Sequence, residues 1–265
     1  MNRVIDFHVH QGAWGGARSE KDSPKGTLER LSRFGVEGAL VMPFAGLFSN
    51  WFDHPADNDV VYDYCRGFPD SLFAAFTVNP LMGAAALDEI KRCKELHDSR
   101  VLKLHPWLQG FSVTSAEMDA VAGLCEKQGV AIIFHDGTPP YSTPLQIARL
   151  CRDFPGLKVI SGHAGLCDLW QEAIAAAQRY RNFYVCVCGP HLAAAQALAD
   201  SVPGGQLCFG SDMSTSDLDD SLLWYRWRGF RALRMTAEQR ENAERITPYE
   251  IMGMDGSREV DHETS

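Results

Sequence analysis

Eight short apolar runs punctuate the chain, and between them lie longer stretches in which apolar positions recur at helical spacing. Val4–His10, Val36–Pro43, Leu72–Pro80, Val101–Pro106, Val130–His135, Lys158–His163, Asn182–Cys188 and Gln206–Asp212 read as strands. The helix signals fall in the gaps. Ser23-Pro24 offers an N-cap with proline at the first helical position, and Gly35 closes that helix. A second helix begins near Pro55 and stops at Gly67, and a third spans Ala84 to His97. Thr114-x-x-Glu117 has the form of a capping box for a helix ending at Gly129, and Thr143-Pro144 starts the next. An alanine-rich helix then runs to about Tyr180.

Strand alternating with helix is the rhythm of a parallel sheet with crossover helices. Eight such units in 265 residues predict an α/β fold, a closed (β/α)8 TIM barrel, regular or distorted, since that fold needs about 250 residues. No G-x-G-x-x-G loop follows the first strand, which weakens a dinucleotide-binding sheet. Beyond Asp212 the chain runs through Leu222–Phe230, and extra C-terminal helices are expected after the cap Thr236-x-x-Gln239 and near Pro248, these elements closing the outside of the barrel. Residues 1–254 read as one barrel domain and residues 255–265 as a polar, mobile tail in which His262 is solvated.

A net charge of −9 argues against nucleic acid or an anionic membrane as partner and leaves a small-molecule substrate as the expectation. The N-terminus enters a strand at once, with no signal-peptide core, and no run approaches the roughly 18 apolar residues of a membrane span. The eight cysteines are scattered singly, apart from Cys186-x-Cys188, so free thiols in a reducing cytoplasm are expected.

Candidate chemistry gathers at the strand ends. His8 and His10 are two apart and share one face of the first strand; two such imidazoles are half of a zinc-type site or, equally, hydrogen-bonded core histidines. Lys103 with His105, His135, His163 and Asp212 also fall at C-terminal strand ends, the rim where barrel active sites are built. A single histidine there is most often structural, but five strands repeat the pattern. Nitrogen and carboxylate ligands suit zinc first, with manganese, iron or nickel compatible. Water on such an ion has its pKa lowered to about 7, and Asp212 is suited to take its proton.

His-x-His on the first strand, Lys-Leu-His-Pro on the fourth, His135 on the fifth, Gly-His-Ala-Gly around His163 on the sixth and Gly-Ser-Asp on the eighth together resemble the amidohydrolase superfamily. More narrowly they resemble its amidohydrolase-related branch of metal-dependent hydrolases, which includes aminocarboxymuconate-semialdehyde decarboxylase. Gly67-Phe68-Pro69-Asp70 and Glu241-Asn242-Ala243 are supporting echoes. The resemblance implies one divalent ion held by His8, His10, His135 and Asp212, with His163 orienting water or polarising the substrate. It also leaves open a binuclear site bridged by a carboxylated Lys103, and it implies a homodimer as a common state.

In the mononuclear reading Lys103, His105 and Trp107 meet the substrate, although His105 can equally be a lining of the barrel mouth. Trp14, Phe44 and Trp51 are candidate pocket walls or loop packing. Asp6 is a candidate second layer behind the ligands, Cys186 and Cys188 read as buried inert thiols, and His97 as a solvated charge at a helix end. His54 and His191 carry no assignment. The leading function is hydrolysis of a small amide, ester or lactone by metal-activated water. The alternative is non-oxidative decarboxylation at the same site; the shortness of the chain tilts the balance to hydrolysis. A catalytically silent metal-binding barrel is the third reading, disfavoured because a structural zinc site is closed by four ligands with no waiting acid.

Overall fold

The computed structural model describes residues 3–12, 20–44, 47, 54–217 and 219–254. Trp14, Trp51, His262 and the expected tail lie outside them, as does the side chain of His54. Among the described residues there are nine parallel strands: β1 (Val4–Gln11), β2 (Val36–Pro43), β3 (Leu72–Ala74), β4 (Val101–Leu104), β5 (Ala131–Phe134), β6 (Val159–Ser161), β7 (Phe183–Val187), β8 (Leu207–Phe209) and β9 (Met213–Ser214). They form two hydrogen-bonded sheets, ordered β3-β2-β1-β9 and β4-β5-β6-β7-β8.

Two junctions close the ring. At one, β9 continues the line of β8 after a break at Gly210-Ser211-Asp212 and pairs with β1, Val9 opposite Met213 and His10 opposite Ser214. At the other, β3 and β4 meet at the single bridge Phe76–Leu102, where Phe76 N donates to Val101 O at 3.1 Å and Lys103 N to Phe76 O at 2.8 Å. The fold is the expected (β/α)8 barrel.

The second junction explains why the third strand is three residues long where Leu72–Pro80 was expected. Beyond Phe76, side-chain amides replace the backbone ladder. Asn58 Nδ2 donates to Thr77 O and its Oδ1 accepts from Thr77 N, both at 2.9 Å, while Gln109 Nε2 donates to Val78 O at 2.9 Å. These groups are buried, so each bond replaces a lost ladder bond in a place water does not reach. Asn58→Ala strands Thr77 and removes a donor to Glu89 Oε1. The expected loss is about 2–3 kcal/mol in urea unfolding.

Helices α1 (Pro24–Ser32), α2 (His54–Cys65), α3 (Ala84–His97), α4 (Pro106–Gln109), α5 (Ala116–Gln128), α6 (Pro144–Asp153), α7 (Trp170–Arg179) and α8 (Leu192–Ser201) surround the strands. Strand side chains alternate, so Val41, Leu102, Phe134 and Val185 pack outward under the helices while Leu40, Ile133 and Ile160 fill the barrel. In β1 a register shift between Asp6 and Val9 breaks the alternation, and Val9 joins the outer cluster although Ile5 and Phe7 lie inside. The cap of α5 is Ser115 and not Thr114: Ser115 Oγ accepts from Met118 N, and Thr114 Oγ1 pairs instead with Ser112 Oγ.

The C-terminal helices are α9 (Ser221–Arg231), α10 (Ala237–Glu241) and α11 (Thr247–Ile251), the last two joined by a π-helical turn at Asn242–Ile246. Pro248, which has no N–H to give to Glu244, follows that widened turn. The expectation that this region lies on the outside of the barrel is corrected at its end. Ile251 and Met252 belong to the interior cluster, with Tyr249 and Met254 packed against it. Arg100 binds Met252 O at 3.2 Å and Gly253 O at 2.9 Å, and Tyr184 OH donates to Glu250 Oε1 at 2.9 Å. These segments plug the end of the barrel where the strands begin, and chemistry is left to the opposite rim. No helix among the described residues is long and apolar enough to cross a membrane.

Candidate active site

β1 delivers His8 and His10 to the same face, as their spacing requires, and both are buried. Asp212 comes to them from the break between β8 and β9. It sits in the left-handed region at φ 61°, a strained conformation for a non-glycine residue that aspartate tolerates better than most. The break is fastened by Asp6, whose Oδ1 accepts from Ser211 N at 2.9 Å and from His8 N at 3.1 Å, and by Asp212 N donating to His8 O at 2.9 Å. Asp6 thus holds the ligand-bearing backbones in register. Burial pushes its own carboxyl up to about 7.

Asp212 Oδ1 lies 3.4 Å from His8 Nε2 and 3.5 Å from His10 Nε2. The other ring nitrogens fix what these contacts are. His8 Nδ1 is 3.1 Å from Gly162 O and His10 Nδ1 is 3.2 Å from Pro43 O. A carbonyl only accepts, so in each neutral ring the hydrogen is on Nδ1 and Nε2 is a lone pair. Burial, and next the charge of Lys103, hold His8 far below the usual imidazole value, so it is neutral. Two imidazole nitrogens and a carboxylate oxygen therefore converge with no hydrogen of their own between them, the one N–H that reaches His8 Nε2 being that of Lys103 at 3.1 Å, and the donor set fits a divalent cation. Among the described residues, the ligand atoms of His8, His10 and Asp212 all lie within 4.8 Å of one another.

The fourth expected ligand, His135, follows β5 and is not part of that triplet. Its ring stacks on His105 at 3.8 Å and 9°, and meets His163 edge-on at 4.3 Å. His163 in turn lies 4.6 Å from the His8 ring, so the five histidines form one continuous cluster. Burial lowers all three of these rings, His105 to about 2, His135 to about 3 and His163 well below the usual imidazole value, so these three are neutral at neutral pH. The cluster's cation is Lys103, whose Nζ lies 3.1 Å from His8 Nε2 and whose pKa burial also lowers.

His105 caps α4, its Nδ1 accepting from Leu108 N at 3.5 Å, and Trp107 on that helix is 54% exposed with its ring 6.2 Å from His105. Phe44 sits edge-on to His10 at 5.7 Å.

Two residues of the site escaped the sequence. Asp136 is fully buried behind His163: Oδ1 accepts from His163 N, Oδ2 from Gly165 N, both at 2.7 Å, and Oδ2 also takes the Ser161 hydroxyl at 2.5 Å. Its only signal is an acid placed directly after a strand-end histidine. Cys188 is buried as expected, and its Sγ contacts Gly162 O at 2.9 Å and His163 Nδ1 at 3.3 Å. Burial keeps its thiol, and that of Cys186, well above the usual value and protonated. All eight cysteines are free.

Two further histidines lie away from the site. His97 is not solvated: its ring stacks on Tyr62 at 3.9 Å and its Nε2 meets Asp59 Oδ1 at 2.8 Å. His191 caps α8.

The amidohydrolase 2 family model, described as Amidohydrolase, matches residues 5–248. Among solved structures, a 2,6-dihydroxybenzoate decarboxylase complexed with 2,6-dihydroxybenzoate superposes with TM-score 0.73 at 15% identity, over 96% of this chain and 100% of that one. A probable 2-pyrone-4,6-dicarboxylic acid hydrolase from Acinetobacter baumannii gives TM-score 0.71 at 14% identity, over 96% and 100%. A dihydroxybenzoic acid decarboxylase from Polaromonas sp. JS666, with bound manganese and 2-nitroresorcinol, gives TM-score 0.71 at 14% identity, over 100% of both chains. At these identities the superpositions speak to the fold. No curated protein matches the sequence. The match along nearly the whole barrel, on a chain whose strand-end histidines and late aspartate meet at one rim, makes this protein a member of the amidohydrolase family.

Proposed function

We propose that the chain is a metal-dependent hydrolase acting on a small amide, ester or lactone. The observation that carries this reading is the convergence of His8 Nε2, His10 Nε2 and Asp212 Oδ1, with both Nδ1 atoms turned to backbone carbonyls. A divalent cation held by these three, with His135 as the fourth ligand and zinc as the preferred ion, supplies Lewis acidity toward a substrate carbonyl.

The protein's own groups do the rest. The Asp212 side chain is 35% exposed, so it faces the open rim as well as the imidazoles. It takes the proton of the attacking water and returns it to the leaving group. Lys103, wholly enclosed, keeps a positive charge beneath His8 that favours anionic character in the reacting centre. His105 and Trp107 flank the entry and make the contacts that orient a substrate.

Decarboxylation at the same site is the second reading, favoured by the two hydroxybenzoate decarboxylases among the structural neighbours. Chain length no longer argues against it, because each of those chains is matched over 100% of its length. The deciding experiment offers metal-loaded protein a panel of lactones, esters, amides and hydroxybenzoates while acid release and carbon dioxide are followed separately. Acid release without carbon dioxide upholds hydrolysis; carbon dioxide from an aromatic acid replaces it with the lyase.

Metal analysis tests the donor set directly. About one ion per chain is expected from protein purified without chelator, falling at least tenfold in occupancy in His8→Ala. Reconstitution is expected to be indifferent to added bicarbonate, since a single ion needs no carboxylated Lys103. Full occupancy in His8→Ala overturns the ligand assignment.

A further inference from the structure

Cys188, just after β7, reaches three atoms of the site: Gly162 O at 2.9 Å, His163 Nδ1 at 3.3 Å and, more distantly, His8 Nδ1 at 3.7 Å. The same Gly162 carbonyl also receives His8 Nδ1 at 3.1 Å. Since a carbonyl has lone pairs and nothing to give, the His8 ring and the Cys188 thiol must both spend their hydrogens on it. A thiol has one hydrogen. With that hydrogen on Gly162 O, the 3.3 Å contact to His163 is a hydrogen bond only if His163 Nδ1 donates to sulfur.

His163 Nε2 is then left bare, and it is the ring atom that is buried without any hydrogen-bond partner. The opposite arrangement, with the thiol donating to His163, would press a sulfur lone pair against the carbonyl oxygen at 2.9 Å.

We propose that Cys188 is a positioning residue that fixes His163 as its Nδ1–H tautomer, so that His163 offers the site an acceptor and not a donor. Through the shared Gly162 carbonyl, one relay sets the tautomers of two histidines from different sheets, His8 on β1 and His163 beyond β6. In that form His163 can hold a cation or receive a proton from water. It cannot donate to a substrate carbonyl, which removes the polarising role that the resemblance implied for it.

The functional consequence rests on the metal-dependent reading above, whereas the tautomer itself does not. The test therefore begins with metal-free, full-length protein labelled with nitrogen-15 in histidine, in which the His163 tautomer is read by NMR. The unsubstituted protein is expected to carry the hydrogen on Nδ1. Cys188→Ser, whose hydroxyl can repeat both bonds, is expected to keep it there, and Cys188→Val to move it wholly or partly to Nε2. Calorimetric titration with zinc should then show Cys188→Val binding 10- to 100-fold more weakly and Cys188→Ser within severalfold of the parent. A His163 with its hydrogen on Nε2 in the unsubstituted protein overturns the relay, as does an unaltered Nδ1–H tautomer in Cys188→Val. If the tautomers behave as expected but zinc does not bind the parent at all, the relay stands and the metal-dependent reading falls.

Discussion

Asp212→Asn is expected to lower turnover by roughly 10²- to 10⁴-fold, the range by which a positioned proton carrier contributes to catalysis. The substitution is nearly isosteric, and asparagine accepts the left-handed conformation at φ 61° at least as readily as aspartate, so the break between β8 and β9 loses nothing locally. The amide even improves the metal-free cluster. Its N–H group can face the lone pair of His10 Nε2, to which the carboxylate oxygen at 3.5 Å brings no hydrogen; that of His8 Nε2 is already met by Lys103 Nζ at 3.1 Å. The variant should thus melt at or above the temperature of the parent in chelator, and well below it in function. Rates on whichever panel substrate responds, measured beside thermal unfolding with and without metal, check both halves. A rate within severalfold of the parent at full metal occupancy removes Asp212 as the proton carrier.

Gly162→Ala is expected to cost about 3 kcal/mol or more, which for a chain of this size lowers the melting temperature by roughly 6–12 °C. A Cβ at this position would stand 2.3 Å from Phe134 O, and that oxygen cannot turn aside because it already accepts Gly162 N–H at 2.9 Å. The same methyl would lie 3.3 Å from His8 Cε1 and from Ile133 Cγ1. Relief by parting β5 from β6 would displace the Gly162 carbonyl that orients His8 and Cys188, so lost stability should come with weakened metal binding. Urea unfolding and zinc titration of one preparation measure the two together. A variant as stable as the parent would show that the strands give more easily than their hydrogen bond implies.

The barrel and most of its rim were legible because both follow from local rules. Eight apolar runs, each with a helix behind it, admit few topologies, and period-two alternation alone puts His8 beside His10. What escaped depends on residues far apart in sequence. The third strand is shortened because Asn58 and Gln109, from two different helices, supply the bonds a neighbouring strand would have given. Leu72–Pro80 carries little mark of this, being apolar apart from Thr77 and Asn79. His97 reads as a solvated helix end until α2 brings Asp59 and Tyr62 against it. Asp136 looks like an ordinary loop acid, and only the fold shows it accepting three hydrogen bonds beneath His163. The segment around Ile251 is as apolar as an outer helix, and nothing local says that it stoppers the barrel.

The two-sheet construction of the ring has a mechanical corollary. His8, His10 and the neighbour of Asp212, Met213, belong to the sheet ending in β9, whereas His135 and His163 follow strands of the other sheet. An ion gripped from both sides would rivet two arcs that otherwise meet at a narrow hinge beside β3 and at the bent Gly210–Asp212 link. Occupancy would then stiffen the whole hoop, adding about 1.4 kcal/mol of resistance to unfolding for every tenfold excess of free ion over its dissociation constant.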